Sequence, residues 1–165
     1  MNYERELEFA RRTALAAGDN ARHIRARGIS VETKSDASPV TVADRDNERL
    51  ISEAIQREFP DDGILGEEGS RKPGSSGRRW IIDPIDGTRD FVRGNQFWCI
   101  LIALEEAGES LVGVAHFPVL NETYWAARGS GSYGNNQRLK VSAIGSSAEC
   151  VFSPNGLHHL SLIHI

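Results

Sequence analysis

Asp83 and Asp86 stand at the end of a short apolar run in Trp80-Ile81-Ile82-Asp83-Pro84-Ile85-Asp86-Gly87-Thr88. Carboxylates are hard oxygen donors of the kind that hold Mg²⁺. Pro84 fixes its own φ and pushes Asp83 toward an extended backbone, so the pair is expected on a stiff turn rather than a mobile loop. Gly87 and Thr88 then lead into Arg89 to Arg93, a segment able to open a helix, whose first N–H groups would form an anion site. A divalent cation beside a phosphate is the chemistry these residue types suggest. A plain polar turn closing a buried strand uses the same residues, since Asp, Pro and Gly are ordinary turn formers. Composition alone leaves both readings open.

Two stretches upstream carry further acids. In Pro39-Val40-Thr41-Val42-Ala43-Asp44, Thr41 reads as a helix N-cap and Asp44 as its capping-box partner. Asp44 as a mere cap is the simpler reading of that segment. In Leu65-Gly66-Glu67-Glu68 the adjacent acids follow an Asp61-Asp62-Gly63 turn, and such pairs are most often just solvated.

Taken together, the three stretches resemble the inositol monophosphatase family of Mg²⁺-dependent, lithium-sensitive phosphatases, from roughly Lys34 to Ser153. The resemblance implies that Glu67, Asp83 and the Ile85 carbonyl hold a first Mg²⁺. Asp83 would bridge to a second ion that Asp86 also binds. It further implies that Thr88 hydrogen-bonds Asp44 to hold the attacking water, that Asp44, Thr88 and Glu67 are catalytic, and that Gly87 and Thr88 N–H groups receive the substrate phosphate. Glu68 is a weaker candidate behind Glu67. Lys34 falls near a basic position of the family but aligns loosely and is left out. Two or three Mg²⁺ ions are implied for a complete enzyme, and a homodimer for the full-length protein.

The elements that must position these groups follow from patterning. Tyr3, Leu7, Ala10, Ala14, Ala17, Ala21 and Ile24 recur at helical spacing and predict a first long helix ending near Gly28. Gly28 to Ser38 reads as a loop or hairpin. A second helix runs from Thr41 through Leu50, Ile51, Ala54, Ile55 and Phe59, stopping before Pro60. Ser70 to Arg79 reads as a flexible surface loop. Phe97–Leu104, Leu111–Phe117 and Tyr124–Ala127 read as strands, and Gly134-Asn135-Asn136 signals a hairpin between Ser132-Tyr133 and Arg138–Val141. The fold class is α+β: two long helices layered on an antiparallel sheet. By resemblance this is the amino-terminal part of a layered α/β/α/β/α fold. Residues 1–145 would form the metal-binding domain, and 146–165 would begin a truncated second domain with a strand over Ala148–Ser153.

Composition bounds the rest. The 165-residue chain carries a net charge of −4, which gives no reason to expect nucleic acid or an anionic membrane as partner. Its two cysteines, Cys99 and Cys150, do not make a disulfide framework. No apolar run approaches a membrane span, and the charged start is no signal peptide, so a soluble cytoplasmic protein is expected. Phe91-Val92-Arg93-Gly94, Phe97-Trp98, Leu101–Leu104 and Tyr124–Gly129 look closest to the histidinol-phosphatase branch, with inositol monophosphate hydrolysis as the near alternative. As a structural alternative, Phe91, Phe97 and Trp98 are plain core. The family places one more metal-binding Asp in a later Trp-Asp motif, and residues 154–165 contain no Asp. The His158-His159 run toward Ile165 resembles nothing in the family and reads as non-native. The chain alone is therefore expected to be poorly active, or a fragment that only binds metal or phosphate.

Overall fold

Two helices are built to lie on a sheet. The computed structural model describes residues 3–33 and 39–151. Helix α1 (Glu4–Ala26) buries Leu7, Phe9, Ala10, Thr13, Ala14, Ala17, Gly18 and Ala21, a side of mostly small residues that permits close approach. The hairpin strands β1 (Val31–Thr33) and β2 (Pro39–Thr41) pair antiparallel, and β2 runs straight into helix α2 (Val42–Glu58). Thr41 caps α2 with a complete capping box. Then follow β3 (Gly63–Gly66), β4 (Arg71–Lys72), β5 (Arg78–Asp86), the short helix α3 (Thr88–Arg93), β6 (Cys99–Glu106), β7 (Glu109–Phe117), β8 (Glu122–Ala127), β9 (Gly131–Gly134) and β10 (Gln137–Arg138).

Strands β3 to β10 form one eight-stranded sheet in the order β10-β9-β8-β7-β6-β5-β3-β4. Helix α1 packs across β6, β7 and β8, and α2 packs on β5 and on α1. The face they cover carries Trp80, Ile82, Ile100, Ile102, Leu104, Val112 and Val114, all buried. Phe9, Phe59 and Trp80 join helices to sheet as an aromatic triad with ring centroids 5.0 to 5.2 Å apart. Alternate residues on the opposite face, among them Ile81, Leu101, Ala103, Ala115 and Ala126, line an open apolar groove.

The sheet is mixed, not antiparallel throughout as the strand pattern predicts. Strands β3 and β5 run parallel, Gly63 opposite Arg79 through Gly66 opposite Ile82. The cause is the Ser70–Arg79 segment, which is a pinned crossover rather than a flexible loop. Within it β4 pairs with the outer edge of β3. The chain then passes under the start of β3, where Ser75 and Ser76 N–H donate to the Asp61 carbonyl at 2.8 and 3.1 Å. Gly74 runs so near that a Cβ there would meet the Gly63 nitrogen at 2.2 Å. Emerging on the far side of β3, the chain can pair there only in the same direction.

Other expectations meet the structure unevenly. Asn135 and Asn136 both take positive φ, 46° and 70°, as a two-residue turn between β9 and β10 requires. Phe91 and Trp98 are core, edge to face at 4.9 Å, but Phe97 is 69 % exposed. In place of a strand beginning at Ala148, Ser147–Glu149 make a single 3₁₀ turn capped by Ser146. Lys34 and the His158-His159 run lie outside the described residues. No helix among the described residues is long and apolar enough to cross a membrane.

Candidate metal and phosphate site

Strand β5 delivers the central acids by an irregularity. In a regular strand, residues three apart point to opposite faces. Strands β5 and β6 stay in register down to Asp83 opposite Leu101, then resume at Asp86 opposite Cys99, so β5 carries one extra residue. The bulge falls at Pro84, which has no N–H to lose from the ladder. Pro84 and Ile85 are consecutively buried, whereas the strand before them alternates. Asp86 is thereby turned back to the face of Asp83. The acids sit within the strand, not on a turn beyond it.

Glu67 reaches the same place from β3. Its N–H donates to the Ile82 carbonyl at 3.1 Å, continuing the parallel β3–β5 ladder by one rung. The parallel pairing is thus what sets Glu67 beside Asp83. Burial, then the Glu67 charge and its hydrogen bond, then Asp86, push the Asp83 carboxyl up to about 8. Asp83 Oδ1 is buried with no hydrogen-bond partner. Cys99 Sγ donates to Asp86 Oδ2 at 3.7 Å, and burial together with Asp86 and Asp83 pushes its thiol up to about 12, so it stays a donor.

Among the described residues no three His, Cys, Asp or Glu side chains form a ready-made cage for a metal ion. The donor set nevertheless fits a hard divalent cation. Its oxygens repel one another, one has no partner, and positive charge would relieve both conditions.

Alongside lies Asp44, in the first turn of α2. Its Oδ2 accepts from Thr41 N–H at 2.7 Å and Thr41 Oγ1 at 2.6 Å, and its Oδ1 lies 3.2 Å from Thr88 Oγ1. Burial raises the Asp44 carboxyl, and these hydrogen bonds oppose the rise. Asp44 is 0 % exposed and hydrogen-bonds half-exposed Thr88. The single Thr88 hydroxyl proton is offered to Asp44 Oδ1 or to the Ile85 carbonyl at 3.0 Å. Gly87 holds φ at 87°, and a Cβ on it would lie 2.8 Å from the Phe97 carbonyl, so a larger residue does not fit. The earliest donors into α3 are Asp90 and Phe91, both to the Gly87 carbonyl, which places the Gly87 and Thr88 N–H groups ahead of the helix ladder.

Sequence reasoning missed two residues of α2. Asn47 Nδ2 donates to the Pro84 carbonyl at 3.4 Å, and Glu48 accepts from the Glu68 and Ser70 N–H groups. A signal existed. Asn47 and Glu48 fall in phase with Asp44, Ile51 and Ile55, on the stripe that α2 buries.

Comparison with known proteins shows the family. The model of the inositol monophosphatase family matches residues 2–164. The chain belongs to the inositol monophosphatase family. It is 49 % identical over 122 residues to the histidinol-phosphatase of Chlorobaculum parvum, covering 74 % of this chain and 47 % of that protein. It is 47 % identical over 114 residues to the fructose-1,6-bisphosphatase/inositol-1-monophosphatase of Thermotoga maritima, covering 69 % and 44 %. Among solved structures, the extragenic suppressor protein suhB of Bartonella henselae matches with a TM-score of 0.81 at 33 % identity, over 86 % of this chain and 56 % of that one. The chain spans about half the length of the curated relatives it matches.

Proposed function

We propose that this chain carries the metal-binding half of a Mg²⁺-dependent phosphatase of small phosphate monoesters, with histidinol phosphate as the preferred substrate. The observation that carries the reading is Asp83, a half-buried carboxylate with one buried, unpartnered oxygen, pressed by Glu67 and Asp86 on the same face. Glu67, Asp83 and the Ile85 carbonyl would hold a first Mg²⁺, and Asp83 with Asp86 a second. Mg²⁺ bound there supplies charge neutralisation on the phosphoryl oxygens and a more acidic water.

The chain's own groups do the positioning. With the Thr88 hydroxyl donating its hydrogen bond to Asp44, the hydroxyl oxygen's lone pairs would accept from a water and aim it. Asp44, buried behind Thr88, acts through it rather than on the substrate. The Gly87 and Thr88 N–H groups would donate hydrogen bonds to a phosphoryl oxygen. The histidinol-phosphate preference draws support from the 49 % identity to the histidinol-phosphatase of Chlorobaculum parvum. The inositol-1-monophosphatase name of the Thermotoga relative keeps inositol phosphate as the competing substrate. A homodimer remains part of the proposal for a full-length protein.

Phosphate release from histidinol phosphate and from inositol 1-phosphate, with and without Mg²⁺, tests the reading. Release is expected to require Mg²⁺ and to favour histidinol phosphate. Faster release from inositol phosphate would overturn the substrate. Mg²⁺ binding with no release from either ester would favour a fragment that only binds.

A further inference from the structure

Glu48 is a buried acid that the reaction, as described, does not use. It lies one turn beyond Asp44 on α2 and is 3 % exposed. Burying a carboxylate is costly unless strong donors meet both oxygens. Here two backbone groups do so: Glu68 N–H donates to Oε2 at 2.6 Å and Ser70 N–H to Oε1 at 2.7 Å. These donors bracket Gly69, whose φ is 111°, so the carboxylate spans the turn that follows Glu67.

The loop is shaped around this carboxylate. A Cβ on Gly66 would sit 2.3 Å from Glu48 Oε2, which leaves room for glycine alone while the carboxylate keeps its place. Gly66 N–H closes the loop on the Ser70 carbonyl at 2.7 Å. Glu67 is thus fixed on both sides, by its own N–H on Ile82 and by its neighbour's N–H on Glu48. Asp44, Asn47 and Glu48 touch, in turn, Thr88, Pro84 and the Glu67 loop. One buried face of one helix therefore braces three parts of the site.

We propose that Glu48 is a positioning residue: its carboxylate clamps the Glu68 and Ser70 N–H groups and so sets the Glu67 carboxylate for the first metal ion. The proposal rests on the metal-dependent reading above. Glu48→Gln keeps the shape but turns an NH₂ toward one of the two N–H donors. Mg²⁺ affinity, measured by calorimetry on the 165-residue chain, is expected to fall about tenfold or more, as for other groups that orient metal ligands. Gly66→Ala should reproduce the loss by displacing the carboxylate. The double variant should bind no more weakly than the worse single one, since both act through one contact. Ser52→Ala, on the same helix, should leave affinity unchanged.

Circular dichroism establishes that each variant is folded. If Glu48→Gln does not fold, Glu48→Asp, too short to reach both donors, takes its place with the same expectation. Parental affinity in a folded Glu48 variant, or fully additive losses with Gly66→Ala, would overturn the clamp. No Mg²⁺ binding by the parent chain would overturn the metal reading, and the clamp's purpose with it.

Discussion

The β3–β5 pair carries an acid at both of its ends, buried Asp62 and half-buried Asp83, and the two are treated in opposite ways. At the start, Asp62 accepts from Ser76 Oγ at 2.7 Å, Arg78 Nε at 3.2 Å, Arg78 Nη2 at 2.9 Å and Trp80 Nε1 at 2.9 Å. Arg78 is shared with Glu6 of α1 at 2.8 Å, so the network also ties helix to sheet. At the far end, Asp83 has an oxygen with no partner and leans against two other acids. Asp62 is buried and Asp83 is half-buried with one oxygen sealed from water, so burial alone does not single out the second. What separates them is whether the protein answers its own charge. Asp62 is answered by a guanidinium and an indole, whereas Asp83 meets only other acids, as a site for an external cation would require.

The contrast should survive mutation as a crossed pattern. The largest effect is expected from Asp62→Ala, which leaves Arg78 half-buried beside an emptied network. A loss of about 3 kcal/mol or more in urea unfolding is expected, with Mg²⁺ affinity unaltered in the folded protein. Asp83→Asn should do the reverse, weakening Mg²⁺ binding by about 100-fold or more while leaving the urea midpoint nearly where it was. If Asp83→Asn unfolds the chain, or Asp62→Ala abolishes Mg²⁺ binding in a folded chain, the two ends are not distinct in kind.

Thr88→Val sharpens the division within the site itself. It removes the hydroxyl between Asp44 and Ile85 but no metal donor. Mg²⁺-dependent phosphate release should fall about 100-fold, with calorimetric Mg²⁺ affinity within about twofold of the parent, inside calorimetric error for a tenfold scale.

The smallest effect concerns His116, buried on β7 with Nδ1 2.9 Å from Thr123 Oγ1. Burial lowers its pKa, opposed by a hydrogen bond with the Glu122 backbone and by Asp19, with Arg22 adding slightly to the fall. A His kept neutral in the fold binds fewer protons there than when unfolded. Its contribution is therefore complete above the unfolded value near 6.5 and is lost as pH falls below it. The urea midpoint should slip modestly between pH 7 and 6, and His116→Gln should flatten that slope.

Much of the scaffold was legible in residue order. The alanine stripe of α1, the Thr41–Asp44 capping box and the Asn135-Asn136 turn are local signals, and local signals carry their own geometry. The parallel β3–β5 pairing was not legible, because it depends on a two-residue strand and a crossover held by backbone bonds to Asp61. Asp62 read as a turn residue, since its partners Arg78 and Trp80 lie beyond that crossover. The bulge at Pro84 escaped for a related reason: proline announces a break in the ladder, but not which face the next acid will take. Asn47 and Glu48 were passed over, though their phase with Ile51 and Ile55 pointed inward. The family resemblance implied that Glu67, Asp83 and Asp86 converge, but not the means: the parallel packing of β3 on β5 and the bulge between Asp83 and Asp86.

A crystal of this chain soaked in Mn²⁺, an anomalously scattering stand-in for Mg²⁺, tests the central claim most directly. The account predicts an anomalous peak within bonding distance of Glu67, Asp83 and the Ile85 carbonyl, absent when Asp83 is Asn. A map with no peak there, or with Mn²⁺ bound only elsewhere, would contradict it.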